Sequence, residues 1–274
     1  MRTPRPANTP IDNRRRSLWR GRFEGYRYGV TDARLSEWLE QFAEGDKDTA
    51  ARVLDAVEFI SAEQMHAAFR SLLNRLPGWH RFKARRHGKF AFVAFSRTAG
   101  ESGDTMLHQF RLANNLNQRD FDPLFIGRSE ILRSRLGKDD TVVFLDDFVG
   151  SGTQAVDGWQ QMFQELTAGV GNVYLLTVAA FATGSERIRN ETRIELLAHR
   201  HLNTRDSVPR ADCTHFSAHE KERILHYCKL ASPGRPWGYG DCGLVIVLSH
   251  QCPNNSLAIL QATSRDWEPL FPRG

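Results

Sequence analysis

Apolar residues recur at helical spacing in the first third of the chain. Leu35, Trp38, Leu39 and Phe42 follow the i, i+3, i+4, i+7 rule, and Val53, Leu54 and Val57 resume it after a turn at Gly45 and Asp46. Ser61, Ala62, Glu63 and Gln64 have the form of a capping box. They open a helix with Met65, Ala68, Phe69, Leu72, Leu73 and Leu76 on one stripe, which Pro77 and Gly78 stop. From residue 89 the pattern becomes strand, helix, strand. Strands are expected at 89–95, 141–146 and 172–181, with helices at 104–115, 152–166 and 185–201. A short strand at 121–126, weakened by Pro123, and a short helix at 128–136 lie between them. A helix at 217–230, an apolar strand at 244–248 and a turn at 252–256 follow, and Trp267, Leu270, Phe271 and Arg273 suit packing back onto the body. The alternation predicts an α/β fold with a mainly parallel sheet flanked by helices. It divides the chain into a tail (1–30), an N-terminal helical section packed on the core (31–88), the α/β core (89–210) and a C-terminal closing segment (211–274).

Charge refines the first of these parts. At 274 residues and 41% hydrophobic content, the chain is long and apolar enough to bury a full core. The formal charge of +5 is uneven: residues 1–30 hold eight Arg against two acids, so the rest of the chain is slightly acidic. The stretch RTPRPANTPIDNRRRSLWRGR therefore reads as a basic, partly disordered tail, suited to nucleic acid, to an acidic partner, or simply to solvation. There is no apolar run long enough to span a membrane and no secretory leader, so a cytoplasmic protein without membrane contact is expected. Cys213, Cys228, Cys242 and Cys252 lack the CxxC spacing of zinc knuckles and read as buried, reduced thiols.

The segment TVVFLDDFVGSGTQ, Thr141 to Gln154, carries the chemistry. A strand runs into Asp146 and Asp147, then into a Gly-Ser-Gly-Thr turn and a helix whose Val156, Trp159, Phe163 and Leu166 share a face. Glycine lets a backbone approach an anion closely, the helix N-terminus attracts it, and carboxylates accept from sugar hydroxyls or face Mg²⁺. An ATPase reading requires a GxxxxGK[ST] loop, and a dinucleotide fold GxGxxG; both are absent. Two Asp capping a loop remain the plain structural alternative.

The segment resembles the phosphoribosyl pyrophosphate (PRPP) motif of type I phosphoribosyltransferases. Val142 to Val149, Ser151 and Gly152 fit it, whereas Gly150 and Gln154 depart from the usual residues. The resemblance implies that Asp146 and Asp147 hold the ribose 2′- and 3′-hydroxyls, directly or through Mg²⁺. It implies that Val149, Gly150, Ser151, Gly152, Thr153 and Gln154 form the 5-phosphate loop. SRTAGESGDT lies where the pyrophosphate loop is expected, with Arg97, Thr98, Ala99, Gly100, Ser102 and Gly103 as its residues. WGYGDCG suits a hood over the base, with Trp237 and Tyr239 as stacking surfaces or as ordinary packing, and Asn254 and Asn255 as amides for base or ribose or as turn formers.

DDFVGSGTQ, AGESGDTM and the late GYGDCGLVIVLSHQCPNNSLAI with WEPLFPR are more closely similar to a divergent bacterial branch: phosphoribosyltransferase-like effectors of conflict, or anti-phage, systems that include partners of retrons. This implies a phosphoribosyltransferase-like fold, with PRPP or a related ligand and Mg²⁺ as cofactor. The reaction implied is attack at C1 of ribose as pyrophosphate leaves, by transfer or by hydrolysis. An antiviral-defence role beside a reverse transcriptase and its RNA–DNA complex is implied too. The alternative is a non-catalytic nucleotide sensor docked on a ribonucleoprotein through the Arg-rich tail.

Overall fold

Asp12 accepts a hydrogen bond from the Arg15 backbone N–H at 2.8 Å and so starts the first helix, α1 (Asn13–Arg22). The computed structural model describes residues 11–96 and 102–273. In chain order there follow α2 (Asp32–Glu40), α3 (Lys47–Ala56), β1 (Glu58–Ile60), α4 (Ala62–Arg75), β2 (Phe90–Ala94), α5 (Ser102–Ala113) and β3 (Thr141–Val149). Then come α6 (Thr153–Gly158), a π turn (Trp159–Phe163), α7 (Gln164–Leu166), β4 (Asn172–Phe181), α8 (Ala182–Glu191), β5 (Glu195–Leu202), α9 (Ala218–Ala231), β6 (Ile246–Leu248) and α10 (Ala258–Gln261).

The chain divides into two compact units: one joins the residues up to Ala62 with those from Asn203 onward, and the other is Glu63–Leu202. The expected boundaries at 88 and 210 are thus not where the chain parts. The expected helical section is split, with α2 and α3 in the first unit and nearly all of α4 in the second.

In the first unit β1 and β6 pair in parallel, Phe59 opposite Val247. Asn13–Arg22 of the expected tail is an ordered helix, in which Arg15 and Arg22 bind inward while Arg14 and Arg20 are exposed. Arg15 is 3% exposed and bonds Asp55 Oδ2 at 2.8 Å, while Trp19 Nε1 donates to Asp55 Oδ1 at 2.8 Å. Arg22 donates to the carbonyls of Leu54 and Asp55 in the last turn of α3, where cations offset the helix dipole. Trp267, Leu270 and Phe271 are buried, as the sequence pattern predicts. Trp38 and Trp267 both donate to the Ile259 carbonyl, at 2.9 and 3.0 Å.

In the second unit four parallel strands stand in the order β2-β3-β4-β5. Alternate side chains of each strand face opposite sides. Val93, Val142, Phe144 and Leu175 pack with Trp159 and Phe163 of the π turn and Ile188 of α8. On the other side Phe92 meets Phe110 of α5 at 5.1 Å, and Phe110 meets Phe69 of α4 at 5.7 Å. Helices therefore flank both faces of a parallel sheet. Three expected elements differ. Residues 121–126 are not a strand: a 3₁₀ turn spans Arg119–Leu124, because Pro123 cannot donate to a ladder. The expected helix at 128–136 is a 3₁₀ turn of Arg128–Glu130 followed by turns. The expected helix at 185–201 ends at Glu191, and its second half is β5. Among the described residues, no helix is long and apolar enough to cross a membrane.

Candidate functional site

Asp146 and Asp147 lie inside β3, which runs on to Val149, rather than after it. Asp146 sits opposite Thr177 of β4, and the pair occupies the carboxyl half of the strand, where open parallel sheets bind ligands. Both carboxylates are buried, 5% and 7% exposed. Asp146 Oδ1 accepts from Ser102 Oγ at 2.8 Å and from the Asp147 backbone N–H at 2.9 Å. Burial first, and the Asp147 charge second, push the Asp146 carboxyl well above the ordinary carboxylate range; the Ser102 hydroxyl pulls the other way. Two carboxylates placed so close in a dry setting require a cation or hydroxyl donors to be comfortable when ionised.

The turn after β3 is shaped by α8. Gly152 takes a φ of +77°, which a side chain would strain. A Cβ on Gly184 would stand 2.2 Å from the Gly150 carbonyl, so only glycine lets the first turn of α8 approach this close. Ser151 Oγ lies 3.1 Å from Thr153 Oγ1, and the Arg187 guanidinium donates to that same Thr153 oxygen at 2.7 Å. Arg187 also pairs with Glu191 at 2.9 Å. The turn Gly150–Gln154 thus carries two hydroxyls and one guanidinium, a set suited to a phosphate.

Beside the carboxyl end of β2 is a cleft of about 400 Å³, lined by Ala94, Ser96, Asp104, Gly127, Arg128 and their neighbours. Arg128 donates to the Ser96 carbonyl at 2.8 Å. Ser96 Oγ is buried and has no hydrogen-bond partner among the described residues. Arg97, Thr98, Ala99 and Gly100 of the expected pyrophosphate loop lie outside the described residues. Ser102 and Gly103 form the first turn of α5. Gly103 is there for close packing, since a Cβ would meet Ser96 Oγ at 2.7 Å and the Phe95 carbonyl at 2.8 Å.

A family model, PRTase-CE, matches residues 35–273. The chain belongs to the PRTase-CE family. Its fold is accordingly phosphoribosyltransferase-like, a parallel sheet flanked by helices. Among solved structures, the chain is similar to the AQ2163 protein from Aquifex aeolicus, with 13% identity and a TM-score of 0.33 over 62% of this chain and 83% of that one. It is also similar to TT1426 from Thermus thermophilus, with 13% identity and a TM-score of 0.27 over 52% of this chain and 84% of that one. No curated protein matches the sequence.

In this PRTase-CE protein the acid pair, Ser102, the turn and Arg187 all belong to the unit Glu63–Leu202. The expected hood residues belong to the other unit, where they hold one another. Tyr239 N–H donates to the Asn254 carbonyl at 2.7 Å, and Asn255 Nδ2 donates to the Tyr239 carbonyl at 2.8 Å and to Cys242 Sγ at 3.5 Å. Arg235 lies 4.9 Å over the Tyr239 ring, and Trp237 packs half-buried against the core. Asn255 therefore acts as a brace for the turn. The four cysteines are buried free thiols. Burial pushes the thiols of Cys228 and Cys252 up to about 12 and raises those of Cys213 and Cys242, so none is primed as a nucleophile.

Asp146 and Asp147 are hard oxygen donors, which fits Mg²⁺. No group of three or more His, Cys, Asp or Glu side chains converges as a metal centre among the described residues. The donor set fits an ion held by one or two carboxylates together with phosphate oxygens of a ligand. In the sequence Ser102 reads only as part of the pyrophosphate loop, and Arg187 and Arg128 are not legible there as site residues. The Arg187 and Ser102 contacts span 34 and 44 positions, beyond any local motif.

Proposed function

We propose that this protein binds the ribose-5-phosphate part of a PRPP-type ligand and acts on its phosphoribosyl or N-glycosidic bond. The observation that carries this reading is the convergence, at the carboxyl end of β3, of two buried carboxylates with a hydroxyl-bearing turn and an arginine. Asp146 and Asp147 accept from the 2′- and 3′-hydroxyls. The turn Val149–Gln154 takes the 5-phosphate through Ser151, Thr153 and backbone N–H groups, and Arg187 supplies the positive charge that the turn itself lacks. Asp146 and Asp147 are the residues that would hold Mg²⁺, which when bound with a diphosphate offsets the charge on the leaving group. At C1 the bond to pyrophosphate breaks as the bond to an acceptor, or to water, forms. The carboxylates fix the ribose and their charge favours the oxocarbenium-like transition state, so positioning and electrostatics supply the catalysis. No covalent nucleophile is required.

The test is incubation with PRPP and Mg²⁺, alone and with nucleobases or RNA as acceptors, reading pyrophosphate release and acceptor mass. Wild type should release pyrophosphate, and the double variant Asp146→Asn, Asp147→Asn should not, with its circular dichroism unchanged. Full activity in the double variant sinks the proposal. Ligand-induced thermal stabilisation without any turnover would leave a nucleotide sensor instead. We place this chemistry in a bacterial defence effector, the setting supported by the resemblance of the acidic loop and closing segment. Phage restriction that survives the double variant would contradict that placement.

A further inference from the structure

A strongly basic surface lies elsewhere in the unit Glu63–Leu202. From Gln64 to Gly100 the chain carries eight Lys and Arg and no Asp or Glu. Its centre is the loop that follows α4. Pro77 and Gly78 end the helix, and the chain returns where the His87 N–H donates to the Gly78 carbonyl at 3.0 Å. Two arginines are spent on holding the loop. Arg86 lies 4.5 Å over the Trp79 ring and donates to the carbonyls of His80 and Arg81. Arg81 donates to the carbonyls of Asn114 and Asn115 and lies 4.9 Å over Phe121.

At the tip Lys83 and Arg85 are exposed, and Phe82 is 65% exposed, more than any other large apolar side chain among the described residues. The His80 ring lies 5.5 Å from the Phe82 ring, inclined by 32°, and the Arg85 guanidinium is 6.0 Å from its centre. The Phe82 ring thus stands in solvent with a cation beside it and a face open to a further flat group. Of the two acids beside Gly88, Asp140 accepts the backbone N–H groups of Lys89 and Gly137 through its two oxygens, and Asp139 is exposed. Trp79, His80 and Arg81 also line a cleft of about 390 Å³ with Arg70, Asn74 and Asn115.

We infer that this loop and cleft bind single-stranded nucleic acid, a role separate from the phosphoribosyl site and not resting on it. Lys83, Arg85 and Arg70 meet phosphates. Phe82 offers a flat face to a base, and such stacking requires a base that is not already stacked in a duplex. The cleft is of ligand size and presents amides to the edge of the neighbouring base. In α1, Arg15, Arg16 and Arg20 are instead engaged with Asp55, Ser36 and Asp32.

The test is fluorescence anisotropy of the full chain with labelled oligo(dT) and oligo(U) of about twelve nucleotides, between about 50 and 200 mM salt. Both should bind more tightly than a duplex of equal length. Phe82→Ala should weaken binding about tenfold, and Phe82→Trp should retain it. Lys83→Ala with Arg85→Ala should lower the salt slope by about 1.4, the share of two phosphate contacts on a single strand. Arg20→Ala in α1 should change nothing. These side chains are exposed, so melting temperatures should stay at the wild-type value. Duplex binding as tight as single-strand binding, indifference to Phe82→Ala, or absence of oligonucleotide binding at low salt would each overturn the inference. So would binding to vesicles containing phosphatidylserine with none to the oligonucleotides.

Discussion

Asp146 precedes the turn in the chain and Arg187 reaches it from α8, and each is legible to a different degree. The acids and the Gly-Ser-Gly-Thr turn stand in one continuous stretch, so local pattern reading finds them. Arg187 reaches Thr153 from the helix after the next strand, and nothing in its own neighbourhood distinguishes it from a solvated arginine on a helix face. Its pairing with Glu191 is half-exposed and weak, so an arriving phosphate can compete for the guanidinium. Arg187→Ala should therefore weaken ribose 5-phosphate binding by at least about tenfold, the worth of one charge-assisted hydrogen bond. Arg187→Lys should recover part of this, since a point charge lacks the fork. Calorimetric titration with ribose 5-phosphate measures it, and an unaltered Kd in Arg187→Ala would remove Arg187 from the site.

At the scale of elements, strands buried on both faces were legible and half-buried ones were not. β4 reads as a continuous apolar run, and the expected span, 172–181, is the observed one. β5 stands at the sheet edge with His199, Arg200 and His201 among its residues, so it has neither alternation nor an apolar run. Its charges instead extend the helical reading of 185–191. α1 was missed for a related reason. A segment dense in arginine reads as solvated, and the partners that order it, Asp55 and the last turn of α3, lie more than thirty positions away. Asp55 takes both Arg15 and Trp19, so Asp55→Ala removes two partly buried hydrogen bonds and leaves Asp48, at 3.6 Å, as the acid beside the Arg15 guanidinium. The variant should lose about 2 kcal/mol of stability, the scale for hydrogen bonds to a charged group. Urea denaturation followed by Trp fluorescence checks this, and amide exchange should show α1 opening first. A variant as stable as wild type, with α1 equally protected, would restore the solvated-tail reading.

For the whole molecule, the strand–helix alternation settles the class of the second unit because each βα step is a local event. The first unit is assembled from the two ends of the chain, and no local signal announces that residues before 63 and after 202 share a core. Net charge misleads in the same way: averaged over residues 31–274 it is near zero, which hides the acid-free stretch from Gln64 to Gly100. The acid pair has a further consequence at this scale, because it makes stability depend on pH. Asp146 titrates higher folded than unfolded, since burial and Asp147 disfavour its charge. The folded state then binds the extra proton, so the contribution of this group to stability is fully present below the ordinary carboxylate value. It falls as pH rises from about 4 through the raised value, by at most about 1.4 kcal/mol per pH unit, and levels above it. Asp146→Asn removes this loss while keeping an oxygen for the Ser102 hydroxyl. The variant should be the more stable protein at neutral pH and should fail to be stabilised by PRPP with Mg²⁺. Wild type should gain most from that ligand where Asp146 is ionised. Thermal melts from pH 4 to 8, with and without PRPP and Mg²⁺, make the comparison. A wild-type curve running parallel to that of Asp146→Asn over this range would show that the carboxyl is not held protonated by its surroundings.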